Sequence, residues 1–384
     1  MMTGSALQED IVSTVGVLVR KGRDILDMNP GSVASPKWVV IQLVEKCNLR
    51  CKMCYEWGET GAYSQKESLS ALEFSVLERV IKDCLPAKPF FEFFGGEPLL
   101  YPQVWEAIRL IREGGCELAF PTNGTTLEKH AELLVETQPN RLWVSLDGPE
   151  EINDRQRGRG VFRRVIRGID KLYEVRSARN CEFPKIGITY VVTPLNYAYI
   201  EEFFLRSIDL SQLDHLSIEC QCYASEEQYQ RYAEILKSEF GIQSTPCAKG
   251  YVQDLSRFAA MDFEVITRQM ARIKSVCEER EIRFVAQPKT IEGENVRNYW
   301  TANWDKMVDR RSRCAFPWIY AEISARGDVT TCHSFYDLSL GNVYRANILD
   351  IWNGARMEKL RNYLRKRLFP ICTSCCRYYT SGHI

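Results

Sequence analysis

The sequence predicts an α/β protein whose main part is a parallel sheet curved into a partial barrel of six strand–helix pairs. Two observations carry that prediction. Short β-rich runs alternate with longer segments of helical spacing between residues 38 and 220, the order that builds parallel sheets under helices. The first run, WVVIQLV at 38–44, is apolar on both faces, as a strand covered on both sides must be.

Taken in order, Ile11 to Met28 has helical spacing before NPGSVASP breaks it, and it is expected to pack outside the main domain. The strand Trp38 to Val44 follows. Ser70 and Glu73 have the spacing of a capping box for a helix carrying Leu77, Val80, Ile81, Cys84 and Leu85. The alternation continues as strand Phe90 to Phe94, helix Gln103 to Arg112, strand Leu118 to Phe120 and helix Thr126 to Val135. It ends as strand Leu142 to Leu146, helix Phe162 to Val175, strand Ile186 to Val192, helix Tyr199 to Ile208 and strand Leu216 to Cys220. Chemistry is expected at the carboxyl ends of such strands. Beyond them lie helical patterns at Tyr229 to Phe240 and Phe263 to Arg280, and a short strand at Ile282 to Val285. The expected division is an N-terminal helical extension (1–36), the barrel (37–223), a helical bridging or capping segment (224–305) and a small C-terminal domain (306–384).

Composition bounds the function classes. Lysine plus arginine equal aspartate plus glutamate at 50 each, so no global field points to nucleic acid or an anionic membrane. No run of 18 uncharged apolar residues occurs, and Met1 to Asp10 is polar and acidic, unlike a signal peptide. A soluble cytoplasmic protein with neither nucleic acid nor membrane as partner is expected. No repeat or low-complexity tract interrupts the chain.

Directly after the first strand, EKCNLRCKMCYEW places Cys47, Cys51 and Cys54 at the spacing C-x3-C-x2-C. Three thiolates on one loop can hold three irons of a [4Fe–4S] cluster and leave the fourth iron without a protein ligand. An iron left open in this way can bind a chelating small molecule. Zinc is the first alternative, although it prefers four ligands in paired units and only one C-x2-C pair stands here. Disulfides are the second, in a chain of fifteen cysteines without a secretory signal.

Gly95-Gly96-Glu97-Pro98 ends the second strand. Glycines there allow close approach of backbone to a ligand, and Glu97 offers an acceptor for an ammonium group. Thr122-Asn123-Gly124 ends the third strand and Ser145-Leu146-Asp147-Gly148 the fourth; Asn123 and Asp147 are equally good turn residues. Arg157 stands among Arg155, Arg159, Arg163 and Arg164, where a solvated basic face is the competing reading.

The cysteine loop followed by GGEP resembles the signature of the radical S-adenosylmethionine (radical SAM) superfamily. The resemblance implies a partial (β/α)6 TIM-like barrel and a three-cysteine [4Fe–4S] cluster whose open iron chelates S-adenosyl-L-methionine. It implies further that Gly95, Gly96 and Glu97 meet the methionine amino group, that Arg157 holds its carboxylate, and that Asn123, Ser145 and Asp147 belong to the cofactor site. Met53 departs from the family, which usually places an aromatic there; methionine can still pack against a ring.

Cys220 and Cys222, in ECQCY at 219–223, are expected on one face. If it is the inner one, either can donate a hydrogen atom to a substrate radical; the alternative is a small buried hydrophobe. Near the C-terminus, Cys314, Gly327 and Cys332 form C-x12-G-x4-C, and Cys372 and Cys375 form C-x2-C with Cys376 adjacent. Four cysteines saturate a closed site, either an auxiliary [4Fe–4S] cluster or zinc, with Cys376 as an alternative to Cys375. The pattern resembles the SPASM or twitch extension of radical SAM enzymes in a short, single-cluster form.

Together the resemblances imply reductive cleavage of S-adenosylmethionine to a 5′-deoxyadenosyl radical that abstracts a substrate hydrogen, with electrons from a flavodoxin- or ferredoxin-type donor. A small-molecule oxidoreductase or lyase in a biosynthetic pathway is the first reading, because the 36 N-terminal residues look too short for the leader-binding module of some peptide-modifying relatives. Peptide modification, as thioether, carbon–carbon crosslink or epimer, is the second. A non-catalytic electron-transfer protein is the third.

Overall fold

A computed structural model of the chain describes residues 34–380; the expected helix at Ile11 to Met28 lies outside them. One ten-stranded sheet organises the structure, in the order β10-β9-β8-β1-β2-β3-β4-β5-β6-β7. Its strands are β1 (Trp38–Val44), β2 (Phe90–Gly95), β3 (Leu118–Thr122), β4 (Arg141–Ser145), β5 (Lys185–Val192), β6 (His215–Cys220), β7 (Arg283–Gln287), β8 (Tyr320–Ile323), β9 (Asp328–Thr330) and β10 (Gly341–Asn342). All pairings from β8 through β7 are parallel, and only β8–β9 and β9–β10 run antiparallel.

The six expected strands are present, and the sheet is wider than expected. The segment expected to bridge supplies β7 beside β6, and the cysteine-rich C-terminal segment supplies β8 beside β1. Such neighbours, separated by hundreds of residues in the case of β1 and β8, leave no local mark in the sequence.

Alternation divides the sheet into two faces. Val39, Ile41 and Leu43 of β1 join the large core under the helices, while Trp38 and Val40 join Phe90, Ala119, Phe316, Ile319 and Tyr320 on the inner side. Every residue of β1 is buried. Each fully buried aliphatic side chain there contributes roughly 1.5–3 kcal/mol.

The outer layer begins with α1 (Phe74–Cys84), α2 (Val104–Glu113), α3 (Leu127–Thr137), α4 (Glu150–Arg157) and α5 (Val161–Ala178). Helix α1 buries Val76, Leu77, Val80, Ile81 and Cys84 on one stripe, as its spacing predicts. Its predicted capping box does not form. Glu73 is the N-cap and makes no side-chain cap bond, while the Ser70 amide donates to Glu45 Oε2 (3.0 Å) and its carbonyl accepts from the Glu45 amide (2.9 Å). The expected helix Tyr199 to Ile208 is a chain of short 3-10, α and π turns from Tyr197 to Ser207.

Candidate active site

The loop after β1 is held at both ends and in the middle. Trp57 Nε1 donates to the Glu45 carbonyl (2.9 Å), the Lys52 amide to the Gln156 carbonyl (3.0 Å) and the Gly58 amide to the Cys54 carbonyl (2.7 Å). Each sulfur faces an N–H donor: Leu49 N to Cys47 (3.5 Å), Trp57 N to Cys54 (3.3 Å) and Arg157 Nη1 to Cys51 (4.0 Å). Asn123 Nδ2 adds a second donor to Cys47 at 3.8 Å. Such donors favour the thiolate form that metals bind.

Against them, burial pushes the Cys47 thiol up to about 11 and Cys54 to about 12, and raises Cys51 as well. The bare loop therefore holds thiols, and metal binding must displace their protons. All fifteen cysteines are free, which removes the disulfide alternative. In a [4Fe–4S] cluster each thiolate holds its own iron, and three sulfurs on one loop, each facing an N–H donor, fit that group.

GGEP lies where the sequence puts it and does different work. A Cβ on Gly96 would strike the Lys46 and Glu45 carbonyls, and one on Gly95, at φ +124°, the Val44 carbonyl. These glycines let β2 approach the base of the cysteine loop rather than a ligand. Glu97 is 1% exposed and accepts from Thr122 Oγ1 (2.7 Å), the Asn123 amide (2.7 Å) and the Leu99 amide (3.2 Å). Burial raises its carboxyl to about 7, against those bonds. In this arrangement Glu97 positions the 122–123 turn, and Asn123 in turn donates to Asn48 Oδ1 (2.8 Å) and Cys47.

Ser145 ends β4, paired in register with Thr189. Asp147 accepts from the Val191 amide (2.8 Å) and from Arg157 Nε (2.6 Å), and both members of that ion pair are buried. Arg155, Arg159, Arg163 and Arg164 are exposed while Arg157 is not, so Arg157 is no part of a solvated basic face.

The C-terminal cysteines come together from three segments. Cys332 lies beside Cys314 and Cys372, and their mutual repulsion adds to burial in raising the Cys332 thiol. Cys375 neighbours Cys372 and Cys376. The Cys376 sulfur meets both Cys222 and Cys375 and lies 3.5 Å from Ser334 Oγ. Cys220 and Cys222 do not share surroundings. Cys220 ends β6 beside Trp300, whereas Cys222, past the strand end, accepts from Gln287 Nε2 at 3.2 Å.

Sequence reasoning missed the cross-links between the two cysteine regions. Glu45 binds both Lys66 Nζ (2.6 Å) and Arg326 Nε (3.1 Å), and the Tyr336 hydroxyl reaches Glu56 Oε1 and Tyr63 Oη, each at 3.1 Å. It also missed a polar network on the inner face, where Glu322 accepts from Gln42 Nε2 (2.8 Å) and Tyr320 Oη (2.5 Å) and pairs with His333 Nδ1 (3.0 Å). The i, i+2 spacing of Tyr320 and Glu322 in YAEI was the available signal.

The Radical SAM superfamily model matches residues 41–207, and the model of the SPASM iron–sulfur cluster-binding domain matches residues 314–376. The chain thus carries a radical SAM domain followed by a SPASM domain. The radical SAM chain is 24% identical over 348 residues to the tungsten-containing aldehyde ferredoxin oxidoreductase cofactor-modifying protein of Pyrococcus furiosus, covering 88% of this chain and 87% of that one. It is likewise 24% identical over 333 residues to the AdoMet-dependent heme synthase of Methanosarcina barkeri, covering 85% of each. Its fold resembles that of Streptococcus suis SuiB bound to S-adenosylmethionine, with a TM-score of 0.60 at 18% identity over 88% of this chain and 69% of that one.

It is a radical SAM enzyme with a SPASM domain, and its cofactors are [4Fe–4S] clusters and S-adenosylmethionine. No helix among the described residues is long and apolar enough to cross a membrane.

Proposed function

We propose that this radical SAM enzyme abstracts hydrogen from a small-molecule substrate, in a dehydrogenation, decarboxylation or related tailoring step of a biosynthetic pathway. When bound, the cluster and S-adenosylmethionine supply a one-electron C–S cleavage that yields a carbon radical able to remove a hydrogen atom. In this reading Cys47, Cys51 and Cys54 hold the open cluster, and Cys314, Cys332, Cys372 and Cys375 the closed auxiliary one. Gly95, Gly96, Glu97 and Asn123 fix the cofactor-facing turn, and Arg157, held by Asp147, presents its guanidinium to a carboxylate. Ser145 lies on the inner face beside them. Cys222, rather than Cys220, is the candidate hydrogen donor because its sulfur meets inner-face groups.

The observation that carries the reading is the convergence of three half-buried cysteines with the Asn123 and Arg157 donors at the carboxyl end of β1. The small-molecule choice draws support from two relatives that match most of this chain, whose names specify cofactor modification and heme synthesis. The exposed edge of the loop carries Lys46, Arg50 and Lys52, which complements an acidic flavodoxin- or ferredoxin-type electron donor. A reducing cytoplasm suits fifteen free cysteines.

Anaerobically reconstituted protein, reduced with dithionite, is expected to release 5′-deoxyadenosine from S-adenosylmethionine, and Cys51→Ala to abolish it; unchanged release by that variant refutes the cluster assignment. Co-expression with peptides encoded beside the gene tests the rival reading, since a modified peptide would overturn the small-molecule choice.

A further inference from the structure

The inner face of the barrel has two unlike walls. On the β8–β1–β2 side every carboxylate is engaged: Glu322 by Gln42, Tyr320 and His333, and Glu92 by Trp38 Nε1 (3.2 Å) and Arg377 Nη2 (2.9 Å). On the β4–β7 side, register aligns Ser145 with Thr189, Thr189 with Ser217, Val191 with Glu219, and Glu219 with Gln287. Alternation puts these side chains on the inner face, because Ile188, Leu216, Ile218 and Cys220 belong to the outer core.

Two acceptors on that wall lack donors. Glu219, half-buried, takes one hydrogen bond, from Ser217 Oγ (2.9 Å) to Oε1, and none to its second oxygen. Gln287 is 1% exposed, its Nε2 is spent on Cys222, and its Oε1 is buried without a partner. Gln42 Oε1 on the other wall is also buried without a partner, but the carboxylate beside it, Glu322, is already engaged, whereas at Gln287 the neighbouring Glu219 keeps an oxygen open to a ligand. The local charges agree. Around Glu219 stand Cys376, Arg377 and His333, but Arg377 is paired with Glu92 and His333 with Glu322. Arg377 is thus already held by a carboxylate other than Glu219.

We infer that Glu219 and Gln287 form the specificity element of the substrate site and receive an ammonium group of a small amine-bearing substrate. This rests on the small-molecule reading above and deepens it. An ammonium brings three N–H donors and one positive charge, which suits the donor-less Gln287 Oε1 and the Glu219 carboxylate beside it in register. A neutral polyol would bring no charge to the Glu219 carboxylate, and an apolar group would leave Gln287 Oε1 unsatisfied.

The test uses the reconstituted holoenzyme under anaerobic conditions. Release of 5′-deoxyadenosine by the unmodified enzyme is measured first, and its absence counts against the radical reading alone. Thermal denaturation is then followed with glucosamine and ethanolamine, each beside its neutral counterpart, glucose and ethylene glycol. The amines are expected to raise the melting temperature by a few degrees, the neutral compounds to leave it unchanged, and Glu219→Gln to abolish the amine effect. Equal shifts from amine and neutral compound, no shift from either amine, or a shift that survives Glu219→Gln overturns the inference. As a ligand-independent check, Glu219→Leu without added amine is expected to melt no lower than the unmodified enzyme; a drop of several degrees would make Glu219 a structural residue and refute the assignment.

Discussion

The two cysteine regions reach the same kind of chemistry by opposite routes. Cys47, Cys51 and Cys54 sit on one loop at the end of one strand, and each sulfur faces an N–H donor of its own. Cys314, Cys332, Cys372 and Cys375 come from three separated segments, and Cys332 is pushed up by burial and by the neighbouring sulfurs. The first region is a local device, set by one loop and its immediate neighbours, and in the proposed reading it leaves one coordination position vacant. The second exists only after β8, β9 and the C-terminal turn have folded.

The comparison is broken most severely at the first region. Cys51→Ala should abolish cleavage of S-adenosylmethionine and remove the open cluster, whereas Cys372→Ala should remove about four irons per chain with a smaller loss of cleavage. Iron analysis and 5′-deoxyadenosine release, measured together, check both; equal loss of cleavage would show that the two regions are not independent.

Next in size is the buried ion pair beside the first region. Arg157→Ala leaves Asp147 buried without its cation and should cost about 3–5 kcal/mol in denaturant unfolding. A surface pair such as Arg109 with Glu136, both exposed, should cost at most about 1 kcal/mol when broken.

The pH dependence comes third. The Glu97 carboxyl is raised from 4.5 to about 7 by burial, so the folded protein binds this proton more tightly than the unfolded chain does. Stability from this source is fully present below about 4.5 and lost as pH rises through about 7. Its full size is about 3 kcal/mol at most. Glu97→Gln should flatten the decline in a pH series of unfolding midpoints of the metal-free protein. A smaller effect than that of the buried ion pair is expected between the regions, where Tyr336→Phe removes the hydroxyl from Glu56 and Tyr63 and should cost about 1–3 kcal/mol.

Legibility followed the same division. The first cysteine loop was readable because its ligands lie within eight residues of one another and follow a strand apolar on both faces. GGEP was readable in place but not in role: the neighbours that demand glycine are the carbonyls of Val44, Glu45 and Lys46, and the partners of Glu97 are Thr122 and Asn123 on another strand. The Ser70 capping box failed because Glu45 takes Ser70 first. Cys220 and Cys222 were assigned one face by strand alternation, yet β6 ends at Cys220 and the period ends with it. The contrast of the two inner walls depends on register across seven strands, which no single segment of sequence contains.

One pairing ties these regions to a common mechanical origin. Because Trp38 to Ile41 lie in register against Tyr320 to Ile323, β8 is the lid on a seven-residue strand, β1, that is buried throughout. A fragment ending before residue 320 would uncover a flat, greasy hydrogen-bonding edge of the kind that recruits other chains. Such a fragment should precipitate even with its first three cysteines intact, which makes the C-terminal segment a condition of solubility for the part of the molecule that faces the cofactor.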